Sequence, residues 1–295
     1  MRSRILLLLV ATSLGVSCAS DPRSPEAAGT PADSVECPTQ YQDVDAYPVF
    51  VSSEVTSTET NRFLIGLLSG DNDAPIAAPE IELNVGFTEV DGPGAIPAED
   101  AEFLWTVEGE RGLYKTEVDF PSPGRWAAQM TVSGPDLDED VTGCFDVTES
   151  GSTPALGSDA PPSATATAKD GQNLSKISTA QDPNPRFYEV SVADALEEGE
   201  PFVLVFATPK YCASAVCGPT LEDVESVAKD YPDLTFIHSE IYVGLEPSDK
   251  VLPAVSEWGL PSEPWVFVVD ADGKVVAKFE GAAPPEELRS ALDAL

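Results

Sequence analysis

Cysteine placement constrains this chain more than any other feature. Five cysteines stand at positions 18, 37, 144, 212 and 217 of 295 residues. Cys212 and Cys217 are separated only by Ala213-Ser214-Ala215-Val216, whereas Cys37 and Cys144 sit at opposite ends of one apparent domain. An odd count in a disulfide-bearing chain leaves one cysteine over. Composition then removes several function classes. With 16 basic and 51 acidic residues the net charge is −35. No basic stripe exists to hold a phosphate backbone, which excludes nucleic acid as a partner. Electrostatic binding to an anionic membrane surface is excluded for the same reason. A single histidine, His238, leaves little room for a His-rich metal site or a Ser-His-Asp triad. Two methionines, one the initiator, argue against a Met-rich copper cluster. The hydrophobic fraction of 42% is enough for packed cores.

Arg2 and Arg4 precede an apolar run from Ile5 to Val16, too short for the ~20 residues that span a bilayer. A basic start followed by a short apolar core reads as a secretory signal. The sequence Leu14-Gly15-Val16-Ser17-Cys18 resembles the cleavage motif of bacterial lipoproteins, in which the cysteine becomes the lipidated first residue. The usual Leu three positions before the cysteine is Gly15 here, with Leu14 one step early. This resemblance implies a signal peptide over residues 1–18, a lipid on Cys18 and a lipid-anchored, extracytoplasmic location at the cell envelope. An ordinary secretory signal with an incidental Cys18 is the alternative. Either route leads to a compartment where disulfides persist. With Cys18 set aside, four cysteines allow three pairings. Spacing favours a structural bridge Cys37–Cys144 and a short pair Cys212–Cys217. Closing a loop of about 100 residues contributes ~4 kcal/mol in the chain-entropy model. The short pair closes almost no loop, and a bridge that stabilises little invites a redox role.

The chain divides into further segments. Residues 19–36, rich in Ala, Pro, Ser and Asp, read as a flexible tether. Residues 37–149 carry short runs of period-two alternation between Gly, Pro and Asp turns, at 48–51, 62–68, 81–87, 103–107, 114–120 and 126–132. With no convincing helical period, this pattern predicts an all-β immunoglobulin-like sandwich. Gly112-Leu113-Tyr114 through Pro123-Gly124-Arg125-Trp126 resembles a hairpin of bacterial envelope sandwich domains and carries no catalytic residue. Residues 150–186 are Ser/Thr/Pro-rich and read as a disordered or extended linker.

From residue 187 to 295 the pattern alternates between α and β. Phe202 to Ala207 is a continuous apolar run, as expected of a buried central strand. The loop with both cysteines follows. Leu221, Val224, Val227 and Ala228 then share one helical face, in a helix reading from Cys217 to Tyr231. Next come a strand over 234–242, a helix over 251–258, a hairpin turning at Asp270-Ala271-Asp272-Gly273, and a last helix to Leu295.

The order strand, cysteine loop, helix, strand, helix, proline, hairpin, helix resembles the thioredoxin fold. Tyr211 precedes Cys212 where thioredoxins often place Trp. Pro264-Trp265-Val266-Phe267-Val268-Val269-Asp270-Ala271-Asp272-Gly273 is similar to the corresponding stretch of membrane-anchored thioredoxin-like thiol-disulfide oxidoreductases. The resemblance implies an α/β domain in which Cys212 attacks, Cys217 resolves, and a cis Pro264 faces the disulfide. Tyr211, Pro209 and His238 would support them. It implies protein thiols and disulfides of secreted or membrane proteins as partners, with no cofactor and no metal. The departure is the spacing, four residues between the cysteines instead of two. Physical reasoning points the same way, because a helix N-terminus stabilises a nearby thiolate. The buried acid that family members often carry in the central strand is missing from Phe202 to Phe206.

Three other readings stand beside this one. The pair could be a structural disulfide in a non-catalytic binding or adaptor lipoprotein. Thr208-Pro209 and the C-x-x-x-x-C spacing resemble bacterioferritin-comigratory peroxiredoxins, with Glu263-Pro264 where those carry a thiolate-stabilising Arg. His238 could join the cysteines as a third ligand, as in Sco-type copper chaperones, although a hydrogen-bonded structural role is the simpler account of a lone histidine.

Overall fold

The computed structural model describes residues 35–168, 172–212 and 214–295. The signal segment, Cys18 and nearly all of the 19–36 tether lie outside these residues. Among the described residues no helix is long and apolar enough to cross a membrane.

The N-terminal region is built of eight strands: β1 Ala46–Phe50, β2 Asn61–Ser69, β3 Glu82–Glu89, β4 Ala95–Asp100, β5 Glu102–Val107, β6 Arg111–Val118, β7 Gly124–Gly134 and β8 Leu137–Val147. They form two antiparallel four-stranded sheets, ordered β1-β2-β6-β5 and β4-β3-β7-β8. Alternation drives their contact. Leu83, Val85 and Phe87 on β3 and Trp126, Ala128, Met130 and Val132 on β7 point inward, against Phe63, Ile65 and Leu67 from the other sheet. Aromatic rings fill the centre, with Phe63 and Phe145 centroids 4.7 Å apart. Two strands escaped the alternation reading. β4 is largely exposed, and β8 begins with the acidic stretch Leu137-Asp138-Glu139-Asp140. Both are edge strands. Carboxylates on such an edge discourage pairing with another chain, which gives part of the negative charge a physical role. The Cys37–Cys144 disulfide joins the segment before β1 to β8, with a Cα–Cα distance of 5.6 Å.

Residues 150–168 form no helix and no named strand, and they are hydrogen-bonded to the domain that follows. Gly157 N–H donates to Val275 O at 2.7 Å and Ala160 N–H to Gly273 O at 2.9 Å. Ser163 and Thr165 are buried. Short 3-10 turns follow at Leu174–Lys176 and Pro185–Tyr188, each capped by an Asn side chain.

The C-terminal domain comprises α1 Val192–Glu198, β9 Phe202–Phe206, α2 Cys217–Ala228, β10 Thr235–Ser239, α3 Pro253–Glu257, β11 Trp265–Val269, β12 Val275–Glu280 and α4 Pro285–Leu292. Its sheet runs β10-β9-β11-β12, parallel between β10 and β9 and antiparallel elsewhere. Every residue of β9 and β11 is buried. Period two explains the continuous apolar runs. Val203 and Val205 pack with Leu221, Val224, Val227 and Leu288 on one face, while Phe202, Leu204 and Phe206 pack with Val192, Ala195, Val255 and Trp258 on the other. α1 was not predicted, yet Ser191 and Asp194 form a reciprocal capping box and Gly199 ends the helix in the left-handed conformation (φ 67°). Compared with the sequence reading, α2 stops at Ala228 and β10 at Ser239.

Polar contacts join the β-rich region to this domain. The Arg62 guanidinium meets Glu287 at 2.9 Å and donates to Glu280 O and Ala282 O. Lys278 pairs with Glu59 at 2.6 Å and with Glu54 at 3.3 Å.

Candidate active site

β9 carries the chain to the buried Ala207 and Thr208, and the loop after it turns back to the start of α2. Cys212 and Cys217 are disulfide-bonded there, with a Cα–Cα distance of 5.9 Å. A turn precedes the start of α2. Ala215 N–H donates to Cys212 O at 3.2 Å, and Ala215 takes a left-handed φ of 60° that a residue with a Cβ rarely adopts. The two sulfurs stand in different surroundings. Cys217, the first residue of α2, is fully buried, and Cys212 is half-buried. Cys217 N–H donates to Cys212 Sγ at 3.3 Å, and Ser214 Oγ lies 3.2 Å from the same sulfur. The helix terminus therefore aims its free N–H at Cys212.

Beside Cys217 stands an acid whose role the sequence reading missed. Glu263 Oε2 lies 3.5 Å from Cys217 Sγ and accepts Thr208 N–H at 2.7 Å. The Glu263–Pro264 peptide is cis and Pro264 is buried. Burial pushes the Glu263 carboxyl above its usual range, and the Thr208 hydrogen bonds offset part of that. A second carboxyl, Glu240, is 2% exposed just after β10. It accepts from Thr179 N–H and from the Thr179 hydroxyl at 3.1 Å. Burial pushes it up to about 7, with the Glu263 charge adding to the effect. The Thr208 hydroxyl reaches both carboxyl groups. A lone acid in Phe236-Ile237-His238-Ser239-Glu240-Ile241 was a legible signal of burial. Glu263 offered none beyond its place next to Pro264.

The other predicted residues are placed as follows. His238 is buried below the loop, and burial lowers it to about 4. Its Nε2 faces Ala207 O at 3.0 Å, so Nε2 carries the proton and Nδ1 accepts from the Tyr188 hydroxyl at 2.6 Å. Both nitrogens are engaged. Among the described residues, the sulfur and carboxylate atoms that converge within 4.8 Å are those of Cys212, Cys217 and Glu263, and His238 does not join them. This removes the third ligand on which the copper reading rested. Tyr211 is half-buried, with Lys210 Nζ 5.0 Å over its ring. Pro209 is half-buried at the start of the loop.

The β-rich region reaches this site. Arg111, at the start of β6, donates from Nη1 to Ser214 O at 3.4 Å. Nearby, β5 and the start of α2 border a cleft of about 600 Å³, lined by Trp105, Glu108, Pro219, Glu222, Asp223 and Glu286 among others. Burial and the neighbouring Glu222, Glu286 and Glu108 push Asp223 up to about 6.

Residues 188–295 match the family model described as a thioredoxin-like domain. No curated protein matches the chain. The fold order, the match and the cysteine pair at the start of α2 agree: residues 188–295 form a thioredoxin-like domain with a C-x-x-x-x-C pair.

Proposed function

We propose that this protein exchanges thiols and disulfides with secreted or membrane proteins through Cys212 and Cys217. The observation that carries the reading is the asymmetry of the pair. Cys212 is accessible and receives an N–H from the N-terminus of α2, whereas Cys217 is buried behind it. Thiolate character and access define an attacking sulfur. In the reducing direction, Cys212 thiolate attacks a partner disulfide and forms a mixed disulfide. Cys217 then attacks Cys212, restores the intramolecular bond and releases the partner as a thiol. The oxidising direction reverses these steps, and the potential of the pair selects between them.

The lipoprotein-like motif at Cys18 supports tethering at the outer face of a membrane. The sheet orders β1-β2-β6-β5 and β4-β3-β7-β8 support an immunoglobulin-like sandwich, which in this reading carries the redox domain away from the membrane. Glu263, an anion beside Cys217, speaks against a thiol peroxidase, whose thiolate needs cationic support.

Insulin reduction by the reduced protein, and trapping of mixed disulfides by Cys217→Ser, test the reading. Wild type should reduce insulin, and Cys217→Ser should retain covalent partners that a reductant releases. No reduction together with no trapped species would overturn it. A potential below about −300 mV would do the same and favour the structural-bridge alternative.

A further inference from the structure

We propose that Glu263 is a catalytic residue, the base that takes the proton from the Cys217 thiol when Cys217 closes the disulfide. This rests on the exchange reading above and assigns a role to the residue ahead of the cis proline. Three observations carry it. First, Glu263 Oε2 is 3.5 Å from Cys217 Sγ, the atom that must lose a proton. Second, Cys217 is fully buried, so water has no direct route to that proton. Third, the carboxyl is held in place by Thr208 N–H at 2.7 Å, which fixes Oε2 toward the sulfur. Glu240 shares the Thr208 hydroxyl with it. The groups around Glu263 are thus Cys217 at the start of α2, Cys212 in the loop before it, Thr208 after β9 and Glu240 after β10.

The arrangement divides the two sulfurs by electrostatics. The N-terminus of α2 favours a thiolate at Cys212, whereas a carboxylate beside Cys217 disfavours one and keeps that thiol protonated until it is needed. Burial raises the Glu263 carboxyl above its usual range, which makes it a better proton acceptor. In the closing step Cys217 S–H transfers its proton to the Glu263 carboxylate. The sulfur electron pair forms the Cys217–Cys212 bond, and the Cys212–partner S–S bond breaks with its pair leaving on the partner sulfur. The two cysteines give up two electrons and the partner disulfide gains them. The partner thiolate is then protonated by solvent, to which Glu263 returns its proton.

The test uses the reduced full-length chain and one equivalent of Ellman's reagent, a small disulfide that releases a coloured thiolate at each step. The first release reports Cys212 attack and the second reports closure by Cys217. In Glu263→Gln the second release should slow about 100-fold near neutral pH, and the deficit should shrink as pH rises and Cys217 ionises unaided. The first release should not slow, because removing a carboxylate within 4.8 Å of Cys212 Sγ favours its thiolate. Second release at the wild-type rate, or slowed equally at every pH, overturns the assignment. Should Glu263→Gln fail to fold, Glu263→Asp carries the same comparison with about a tenfold deficit near neutral pH. Wild type alone supplies another arm. Its second release should rise with an ionisation well below that of a free thiol, and a profile following only a thiol ionisation overturns the proposal. The probe needs no protein partner. Loss of insulin reduction and trapping with a normal closure profile would sink the exchange reading alone.

Discussion

Cys37–Cys144 and Cys212–Cys217 span nearly equal Cα distances, 5.6 and 5.9 Å, across sequence separations of 107 and 5. The first ties the segment before β1 to an edge strand. The second lies at a helix N-terminus, with an N–H on one sulfur and a carboxylate beside the other. A long bridge removes much freedom from the unfolded chain, whereas a short one removes little. The contrast teaches that the role of a disulfide follows from its loop length and its electrostatic setting together. The setting of the short pair is assembled from three separate stretches, at Thr208, Cys217 and Glu263.

Four experiments can break or sharpen that contrast. The largest effect concerns chemistry. Cys212→Ser should lower exchange by at least about 10³-fold, as loss of a nucleophile does, while unfolding by urea shifts far less than for the long bridge. A large stability loss with exchange intact would reverse the assigned roles. Next, replacing both Cys37 and Cys144 by Ser should cost about 4 kcal/mol in urea unfolding and leave closure of the short pair unchanged. Unaltered stability would remove the staple from the comparison.

The third experiment concerns pH. Folded His238 resists protonation down to about 4, and the unfolded chain takes up that proton near 6.5. Stability from this group is therefore complete above 6.5 and declines as pH falls toward 4, by on the order of 3 kcal/mol. Glu240, raised to about 7, has the opposite sign, with stability highest below its ordinary value near 4.5 and declining as pH rises toward 7. In urea titrations across this range, His238→Gln should lack the first slope and Glu240→Gln the second. Parallel wild-type and variant curves would place both groups in contact with water. The smallest effect is expected at Arg111, which is exposed. Arg111→Ala should change stability by less than about 0.5 kcal/mol and closure by less than about threefold. A larger change in closure would show that the β-rich region regulates the redox loop.

Much of this was legible in residue order. Alternation marked six of the eight N-terminal strands, and the apolar runs at Phe202–Phe206 and Trp265–Val269 announced strands buried on both faces. β4 and β8 were not legible, because an edge strand facing water needs no apolar face. Residues 150–168 hid for a related reason. Their backbone hydrogen bonds to the β12 hairpin leave no trace in side-chain pattern.

The sequence by itself determined the cysteine arithmetic, the α/β order of the last third, and the helix start that Cys217 occupies. Each is a local property, written in spacing and periodicity. Only the tertiary structure decided which sulfur is the more accessible, which acid stands beside the other, and where His238 spends its hydrogen bonds. Those depend on loops brought together from residues far apart in the chain. Glu263 and Cys217 are 46 positions apart and 3.5 Å from each other. A pattern with a period of two or 3.6 residues cannot encode such a meeting, because packing of β9, β11 and α2 around one core creates it.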